Sequence, residues 1–276
     1  YLFYLNYDDI SFQVIQTNSK HLLSSRYIPN YTAGLTFFIA VAATNLFHQG
    51  NWQRVFAAKN NKVLKKSLWI SFIIIIPIVF FMGVSGIIAV SLDSKVNPDL
   101  AFFSILLKDK TEFLSIMIII MAVSLTVSTV DTLVNAISSL VIVDGKHFYG
   151  DHKKKNFLTL SKIFIIILSI ISIIIASKGY SILYLFLLAD LFCCAAVLTV
   201  FYGFYKKHFN EKDAVISILI GLFLGLLLFP SPDFSKSILV GMIFPIEIFP
   251  KLISGSLLFW SFLVATTCPL VRWKFN

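Results

Sequence analysis

Charged residues are scarce in this chain: only 13% of its 276 residues are Asp, Glu, Lys or Arg, while 58% are hydrophobic. Soluble domains carry about a quarter charged residues, so this composition argues against a soluble enzyme and against a disordered chain. The mean hydropathy is +0.86. Much of the apolar surface must therefore face lipid, and the lipid bilayer is the first partner that we expect.

Cysteine and catalytic motifs are also lacking. Cys193, Cys194 and Cys268 lie inside apolar runs, without the spacing of a metal site. No glycine-rich phosphate loop, HExxH motif or GxSxG motif is present, and the five histidines are scattered. We therefore expect neither enzymatic activity nor a bound cofactor. The net charge of +9 does not predict nucleic-acid binding, because the lysines form short clusters between apolar blocks.

Long apolar runs dominate what is present, and we interpret seven of them as membrane-spanning helices. They cover about residues 32–47, 67–92, 113–143, 160–177, 181–205, 214–229 and 252–271. The stretch 238–249 is shorter and contains Pro245 and Glu247, so we interpret it as a re-entrant, interfacial or broken helix. Residues 1–31 are mixed polar and aromatic and predict an extramembrane loop. The sequence thus predicts an all-α, multi-span integral membrane protein.

The basic residues are distributed unevenly among the predicted loops. The loops that follow odd-numbered spans hold 15 of the 23 Lys and Arg residues, and the other set holds 8. Cytoplasmic loops are enriched in Lys and Arg, so we expect residue 1 outside and residue 276 in the cytoplasm, across a plasma or inner membrane.

The third predicted span carries an unusual set of polar residues. Their successive spacings of 4, 3, 4 and 3 place them on one face of a helix: Ser124, Ser128, Asp131, Asn135 and Ser138. Hydroxyl and carboxylate oxygens suit a hard cation. Hydrogen bonding between packed helices is the alternative interpretation.

The first predicted span ends in a polar stretch. Asn45, His48 and Gln49 stand where an apolar helix would continue, and Gly50 follows them. This pattern indicates either a helix that unwinds near a site or an interfacial helix end anchored by Trp52.

Asp190 is a second acid within an apolar run. Because such an acid is costly in a bilayer, it either pairs with a donor inside the bundle or lines a transport path. Two glycine pairs, Gly83 with Gly86 and Gly221 with Gly225, predict close helix packing.

Two stretches together resemble the sodium:solute symporter family. Asn45-Leu-Phe-His-Gln-Gly-Asn-Trp-Gln-Arg54, followed by Val-Phe-Ala-Ala-Lys59, resembles the cytoplasmic end of the sixth core helix. Ser124-Leu-Thr-Val-Ser-Thr-Val-Asp131, running on to Asp144, resembles the eighth. The segment around Asp190 is similar to the tenth helix of the divergent, urea-transporter-like branch. The resemblance extends over about residues 33–230.

The resemblance implies a LeuT-type core built from two inverted five-helix repeats. Residues 32–205 would form the second repeat, and residues 206–276 would form peripheral helices. The first repeat, which completes the site, would be missing, so we expect the chain to be a fragment. The implied function is Na⁺-coupled symport of a small polar organic solute by alternating access.

The resemblance also implies roles for individual residues. Ser128 and Thr129 match the paired hydroxyl ligands of Na⁺, and Leu125 matches the residue whose carbonyl completes that part of the site. Asp131 and Asp190 are candidates for coupling, and the candidates for the solute path are Asn45, His48, Gln49 and Asn135. Proton coupling through Asp131, Asp190 or His48 is one alternative. A sensor or scaffold that no longer transports is another.

Overall fold

The computed structural model describes residues 24–92, 97–107, 111–149, 157–205, 210–234, 236–237, 239–240 and 256–273. Within these residues the chain forms nine α-helices, a short 3-10 turn (Pro98–Leu100) and one isolated antiparallel bridge between Pro230 and Ser237. The helices are α1 (Ile28–Phe47), α2 (Gln49–Phe56), α3 (Asn61–Leu92), α4 (Ala101–Leu107), α5 (Glu112–Tyr149), α6 (Phe157–Ala176), α7 (Ile182–Tyr205), α8 (Glu211–Leu228) and α9 (Leu257–Trp273).

Four of these helices, α3, α5, α6 and α7, are long and apolar enough to cross a membrane. The other three predicted spans are also helical, as α1, α8 and α9. They fall short of that standard for different reasons. α1 includes Pro29, Asn30 and Asn45, α8 begins with Glu211, Lys212 and Asp213, and the apolar run of α9 covers only Leu257–Pro269. The predicted all-α, multi-span class is thus confirmed, whereas a count of seven crossings stays a prediction. Most of the stretch 238–249 lies outside the described residues.

The helices extend beyond the predicted apolar runs. α1 begins at Ile28, within the stretch predicted as a loop, because Pro29 fits a first turn, where its missing N–H leaves no hydrogen bond unmade. α3 begins at Asn61, where the Asn60 side chain accepts a hydrogen bond of 2.8 Å from the Val63 N–H and so caps the helix. Hydropathy locates only the apolar middle of such helices. The polar residues of the first turns extend each helix beyond the predicted apolar run.

By their contacts the helices divide into two units. The second unit, Ser19–His48 with Ser181–Asn276, contains α1, α7, α8 and α9, and α7 packs against the other three. Its core is built from side chains with 1% exposure or less, among them Leu187, Leu191, Phe229 and Phe262. The Phe229 ring packs against the ring of Phe262 with 6.4 Å between centroids. This unit buries a hydrophobic core of its own.

Two glycines allow α8 to approach α9 closely. A Cβ atom at Gly221 would lie 2.7 Å from the Ala265 carbonyl oxygen, and one at Gly225 would lie 2.8 Å from the Ala265 Cβ. The Ser261 hydroxyl uses this proximity to donate a hydrogen bond of 2.7 Å to the Gly225 carbonyl. Close packing was the prediction for this glycine pair, and the structure confirms it.

The first unit, Tyr1–Asn18 with Gln49–Tyr180, contains α2 to α6. Here α5 packs against α2 and α6, and α3 packs against α4, a short helix that the sequence did not predict. Only 6% of the most apolar part of α5, and of α6, is buried. A Cβ atom at Gly83 or Gly86 would meet no described atom within 4 Å, so the close-packing prediction was wrong for that pair. This unit presents long apolar helix faces, as lipid contact requires.

We predict that Gly221→Ala destabilises the folded protein by about 1–3 kcal/mol, the cost typical of overpacking. The added methyl group meets backbone and the Pro269 ring rather than a flexible side chain end. Thermal unfolding of the purified full-length protein in detergent measures the effect. Gly83→Ala is the control, because open space surrounds Gly83 and alanine favours the helix. Equal melting temperatures for the two variants would show that the α8–α9 contact is dispensable.

Candidate functional site

The first candidate feature is a break in the helix that ends the predicted first span. α1 ends at Phe47, His48 adopts an extended conformation (φ −72°, ψ 106°), and α2 begins at Gln49. The break thus lies in the predicted polar stretch, whereas Gly50 is buried inside α2 rather than at the break. The Asn45 side chain donates to the Val41 carbonyl of its own helix at 2.8 Å.

His48 stands at this break with an unusual environment. Its Nδ1 atom is buried, and none of the described residues supplies a hydrogen-bond partner for it. A buried polar atom without a partner is costly, so His48 Nδ1 is a candidate to hydrogen-bond with a solute. The role of His48 in a solute path stays a prediction.

The second feature is a buried carboxylate in the core of the second unit. Asp190 lies in the middle of α7 and is only 7% exposed. The Thr44 hydroxyl, in the last turn of α1, donates a hydrogen bond of 2.5 Å to Asp190 Oδ1. Among the described residues, no Lys or Arg forms an ion pair with this carboxylate. A buried acid with one hydroxyl donor and no cationic partner among the described residues is suited to bind a cationic group.

A cysteine adds a second polar contact along α7. Cys193, nearly one turn beyond Asp190, is a half-buried free thiol. The Cys194 thiol is fully buried and donates to the Ile39 carbonyl of α1 at 3.7 Å. The α1–α7 contact is therefore partly polar, and it holds Asp190 in place next to the end of α1.

The third feature is the predicted polar stripe, which lies on α5 in the first unit. Four of its members, Ser124, Ser128, Asp131 and Asn135, are exposed. The Asn135 amide donates to the Asp131 carboxylate at 3.4 Å, so the structure brings these two together. Ser138, the fifth member, is half-buried.

The three residues predicted to bind Na⁺ lie within little more than one turn of α5. The Thr129 hydroxyl donates to the Leu125 carbonyl at 3.0 Å, and the Ser128 carbonyl accepts from Thr132 at 3.0 Å. Two of the predicted ligand oxygens are thus already adjacent. One helix supplies only part of a cation's shell, so further oxygens would have to come from other segments. Within the described residues no group of three or more His, Cys, Asp or Glu forms a metal site.

Sequence reasoning missed two polar contacts. One is Thr44 with Asp190, and the other joins α2 to α5, where the Gln53 amide donates to the Ser139 hydroxyl at 3.1 Å. Thr44 directly precedes Asn45 of the recognised motif, and Ser139 directly follows the stripe. Their positions were thus a weak signal, but nothing in the local pattern identified their partners.

Comparison with known proteins finds similarity to a transporter. Over 197 residues the chain is 27% identical to the spermidine transporter DUR31 of Candida albicans, and the match covers 68% of this chain. It covers 37% of the relative, so the chain matches well under half of that protein's length. No family model matches the chain, and no solved structure matches it significantly. Similarity to a transporter agrees with the expectation of a non-enzyme, while the sodium:solute symporter family stays a prediction.

We predict that Thr44→Val weakens the α1–α7 contact by about 1–3 kcal/mol, because it leaves a buried carboxylate without its described donor. Thr44→Ser keeps the hydroxyl and should preserve most of the stability. Thermal unfolding of the full-length protein measures both. Thr267→Val is the matched control, since Thr267 is exposed in the same unit and bonds only the Leu263 carbonyl of its own helix. A melting temperature for Thr44→Val equal to that of the control would contradict the importance of this bond.

Proposed function

We propose that this chain is part of a secondary active transporter that moves a small polar organic solute by alternating access, driven by Na⁺. The observation that carries the proposal is the Asp190 carboxylate, buried in a helix that is long and apolar enough to cross a membrane. Acids at such positions are expensive and are retained mainly for binding or for moving charge. The similarity to a transporter also supports the proposal of transport.

A cationic amine is the solute class that we propose. The relative's name specifies spermidine, a polyamine that is positively charged at neutral pH. A polycation needs carboxylates to bind it, and Asp190, buried in α7, is the candidate within the second unit. Within the first unit, Asp131 of α5 is a separate candidate. Asn135, bonded to Asp131, would add an amide oxygen on the same helix.

Sodium would bind on α5, at Leu125, Ser128 and Thr129. The 3.0 Å separation of the Thr129 hydroxyl and the Leu125 carbonyl suits two oxygens of one cation shell, once the hydroxyl turns its proton away. The remaining ligands would come from other segments of the full-length protein. Binding energy realised in only one of two conformations would then couple the ion to the solute.

The break between α1 and α2 would form part of the solute path. A broken helix exposes backbone groups that can bind a polar solute, and such breaks lie near the substrate in inverted-repeat transporters. Asn45, His48 and Gln49 lie at or beside the break. The His48 Nδ1 atom, which has no hydrogen-bond partner among the described residues, would be available to a solute group that enters the break.

Proton coupling is a second candidate function, and one observation favours it. Asp190 has a hydroxyl donor but, among the described residues, no cationic partner, so no fixed positive charge occupies this buried carboxylate. A sensor or scaffold without transport is the remaining alternative, and absence of solute uptake by the full-length protein in vesicles with an imposed ion gradient would favour it.

We predict that Ser128→Ala and Thr129→Ala each weaken the apparent Na⁺ affinity of uptake about 5- to 150-fold, since each removes one oxygen from a low-dielectric cation shell. The measurement is uptake of labelled spermidine against Na⁺ concentration, with full-length protein in vesicles. Thr126→Ala is the matched control, because Thr126 is an exposed threonine of α5 whose hydroxyl bonds the Ala122 carbonyl at 2.9 Å. If Ser128→Ala and Thr129→Ala keep the Na⁺ dependence of the wild type, as Thr126→Ala should, the Ser128 and Thr129 hydroxyls serve helix packing alone.

We predict that the variants Asp190→Asn and Asp131→Asn distinguish uptake driven by Na⁺ from uptake driven by protons. If Na⁺ drives uptake, the Asp131 variant should stay Na⁺-dependent with weaker affinity, because only the field at the ion has changed. The Asp190 variant should lose affinity for spermidine at least 10-fold, because a cationic solute loses its carboxylate.

Uptake at several fixed pH values, with and without a Na⁺ gradient, distinguishes the alternatives. Uptake driven by a pH gradient in the wild type, and lost in either variant, would favour proton coupling. Unchanged spermidine affinity in the Asp190 variant would remove Asp190 from the solute path.

A further inference from the structure

A strongly basic segment precedes and begins α3. Between Asp9 and Asp93 the sequence contains no acidic residue, while residues 54–66 contain five basic ones. Three of these, Lys62, Lys65 and Lys66, lie in the first two turns of α3 and are exposed. Neither an ion pair nor a side-chain hydrogen bond to them is found among the described residues. Their positive charge is therefore uncompensated within the described part of the chain.

An aromatic groove continues from these lysines along the same helix face. Lys65, Leu68, Trp69 and Phe72 follow one another at the spacing i, i+3, i+4, i+7 and line a groove of about 270 Å³. The Trp69 and Phe72 rings meet edge to face, with centroids 5.9 Å apart, and are 67% and 56% exposed. The groove thus has a cationic end and a long apolar end.

The length of this groove matches the outer layer of a bilayer. From Lys65 to Phe72 the helix rises roughly 10 Å, at about 1.5 Å per residue. The headgroup layer of one leaflet is about 5–8 Å thick, so the lysines can reach the phosphates while Phe72 reaches the acyl chains. Trp69 lies between them, where tryptophan is enriched because its N–H faces the polar layer and its ring faces hydrocarbon.

α2, the helix that precedes α3, carries exposed side chains of the kinds found at a membrane interface. α2 exposes Trp52 and Phe56, one turn apart with ring centroids 6.4 Å from each other, and it also exposes Arg54. Its Gln53 is bonded to Ser139 of α5. A short helix with exposed aromatic and basic side chains is suited to lie in the interface, directly before the lysines.

We propose that Lys62, Lys65 and Lys66, with Trp69 and Phe72, form a binding site for an anionic phospholipid. The lysines bind the headgroup phosphate, and the groove takes the first part of one acyl chain. An anionic lipid is favoured over a zwitterionic one because none of the lysines has an acidic neighbour along residues 10–92. Each lysine near a charged surface contributes about 5-fold in affinity, so three together contribute roughly 100-fold. This site does not depend on the transport activity proposed above.

The test is native mass spectrometry of the full-length protein, titrated with dioleoylphosphatidylglycerol or dioleoylphosphatidylcholine. We expect phosphatidylglycerol to bind at least 10-fold more tightly than phosphatidylcholine. The triple variant Lys62→Gln, Lys65→Gln, Lys66→Gln should lose that preference, and the corresponding triple change to Arg should keep it. Trp69→Leu retains every charge and should weaken phosphatidylglycerol binding several-fold.

The matched control removes the same charge elsewhere, as Lys153→Gln, Lys154→Gln, Lys155→Gln. It should leave the phosphatidylglycerol preference within about 2-fold of the wild type, since each such lysine contributes only where the lipid binds. An equal loss in both triple glutamine variants would overturn the site in favour of general basic charge. Competition by millimolar inorganic phosphate, or unchanged binding in the Lys62, Lys65 and Lys66 variant, would also overturn it.

Discussion

Hydrocarbon offers no hydrogen-bond partner, and this constraint shapes the bonding of most hydroxyl groups in the described helices, with Thr199 and Ser217 as buried exceptions. Most hydroxyls in the spans meet it locally, by donating to a carbonyl one turn earlier in the same helix, as Thr126 and Thr129 do. A few meet it across helices, as Ser261 does with the Gly225 carbonyl and Thr44 does with Asp190. The cross-helix bonds are the ones that carry information about assembly, because each requires two particular helices to meet.

The two units use their apolar residues differently. In the second unit, Leu187, Leu191 and Phe262 are almost completely buried, and the acid Asp190 shares that core. In the first unit, α5 and α6 leave almost all of their apolar surface exposed within the described residues, together with the polar stripe of α5. A hydroxyl that bonds its own helix, as Ser124 does with the Ile120 carbonyl, costs little when exposed to hydrocarbon, whereas the Asp131 carboxylate of the same stripe is costly there.

The sequence predicted the fold class and the candidate residues much better than it predicted which residues contact them. Spans were visible because hydropathy is summed over about 20 residues, and the helix break was visible because polar residues cluster at Asn45–Gln49. The partner of Asp190 was not predictable, since Thr44 is 146 residues away and many other hydroxyls were equally plausible. Glycine spacing had the same weakness: Gly221 meets a neighbouring helix, whereas Gly83 meets none among the described residues. A local sequence pattern predicts which face of a helix is polar or small, but the tertiary fold determines which residues pack against that face.

The separation of 146 residues between Thr44 and Asp190 also orders events during synthesis. A ribosome adds about 5–20 residues per second, so the acid is made roughly 7–30 s after the hydroxyl. During that interval α1 lacks its packing partner α7, and the intervening helices α2 to α6 belong to the other unit. Before Asp190 is synthesised, the Thr44 hydroxyl can still be hydrogen-bonded, because a threonine in a helix can donate to a carbonyl one turn earlier. The carboxylate has no such local donor, and the chain supplies its partner before the acid itself emerges.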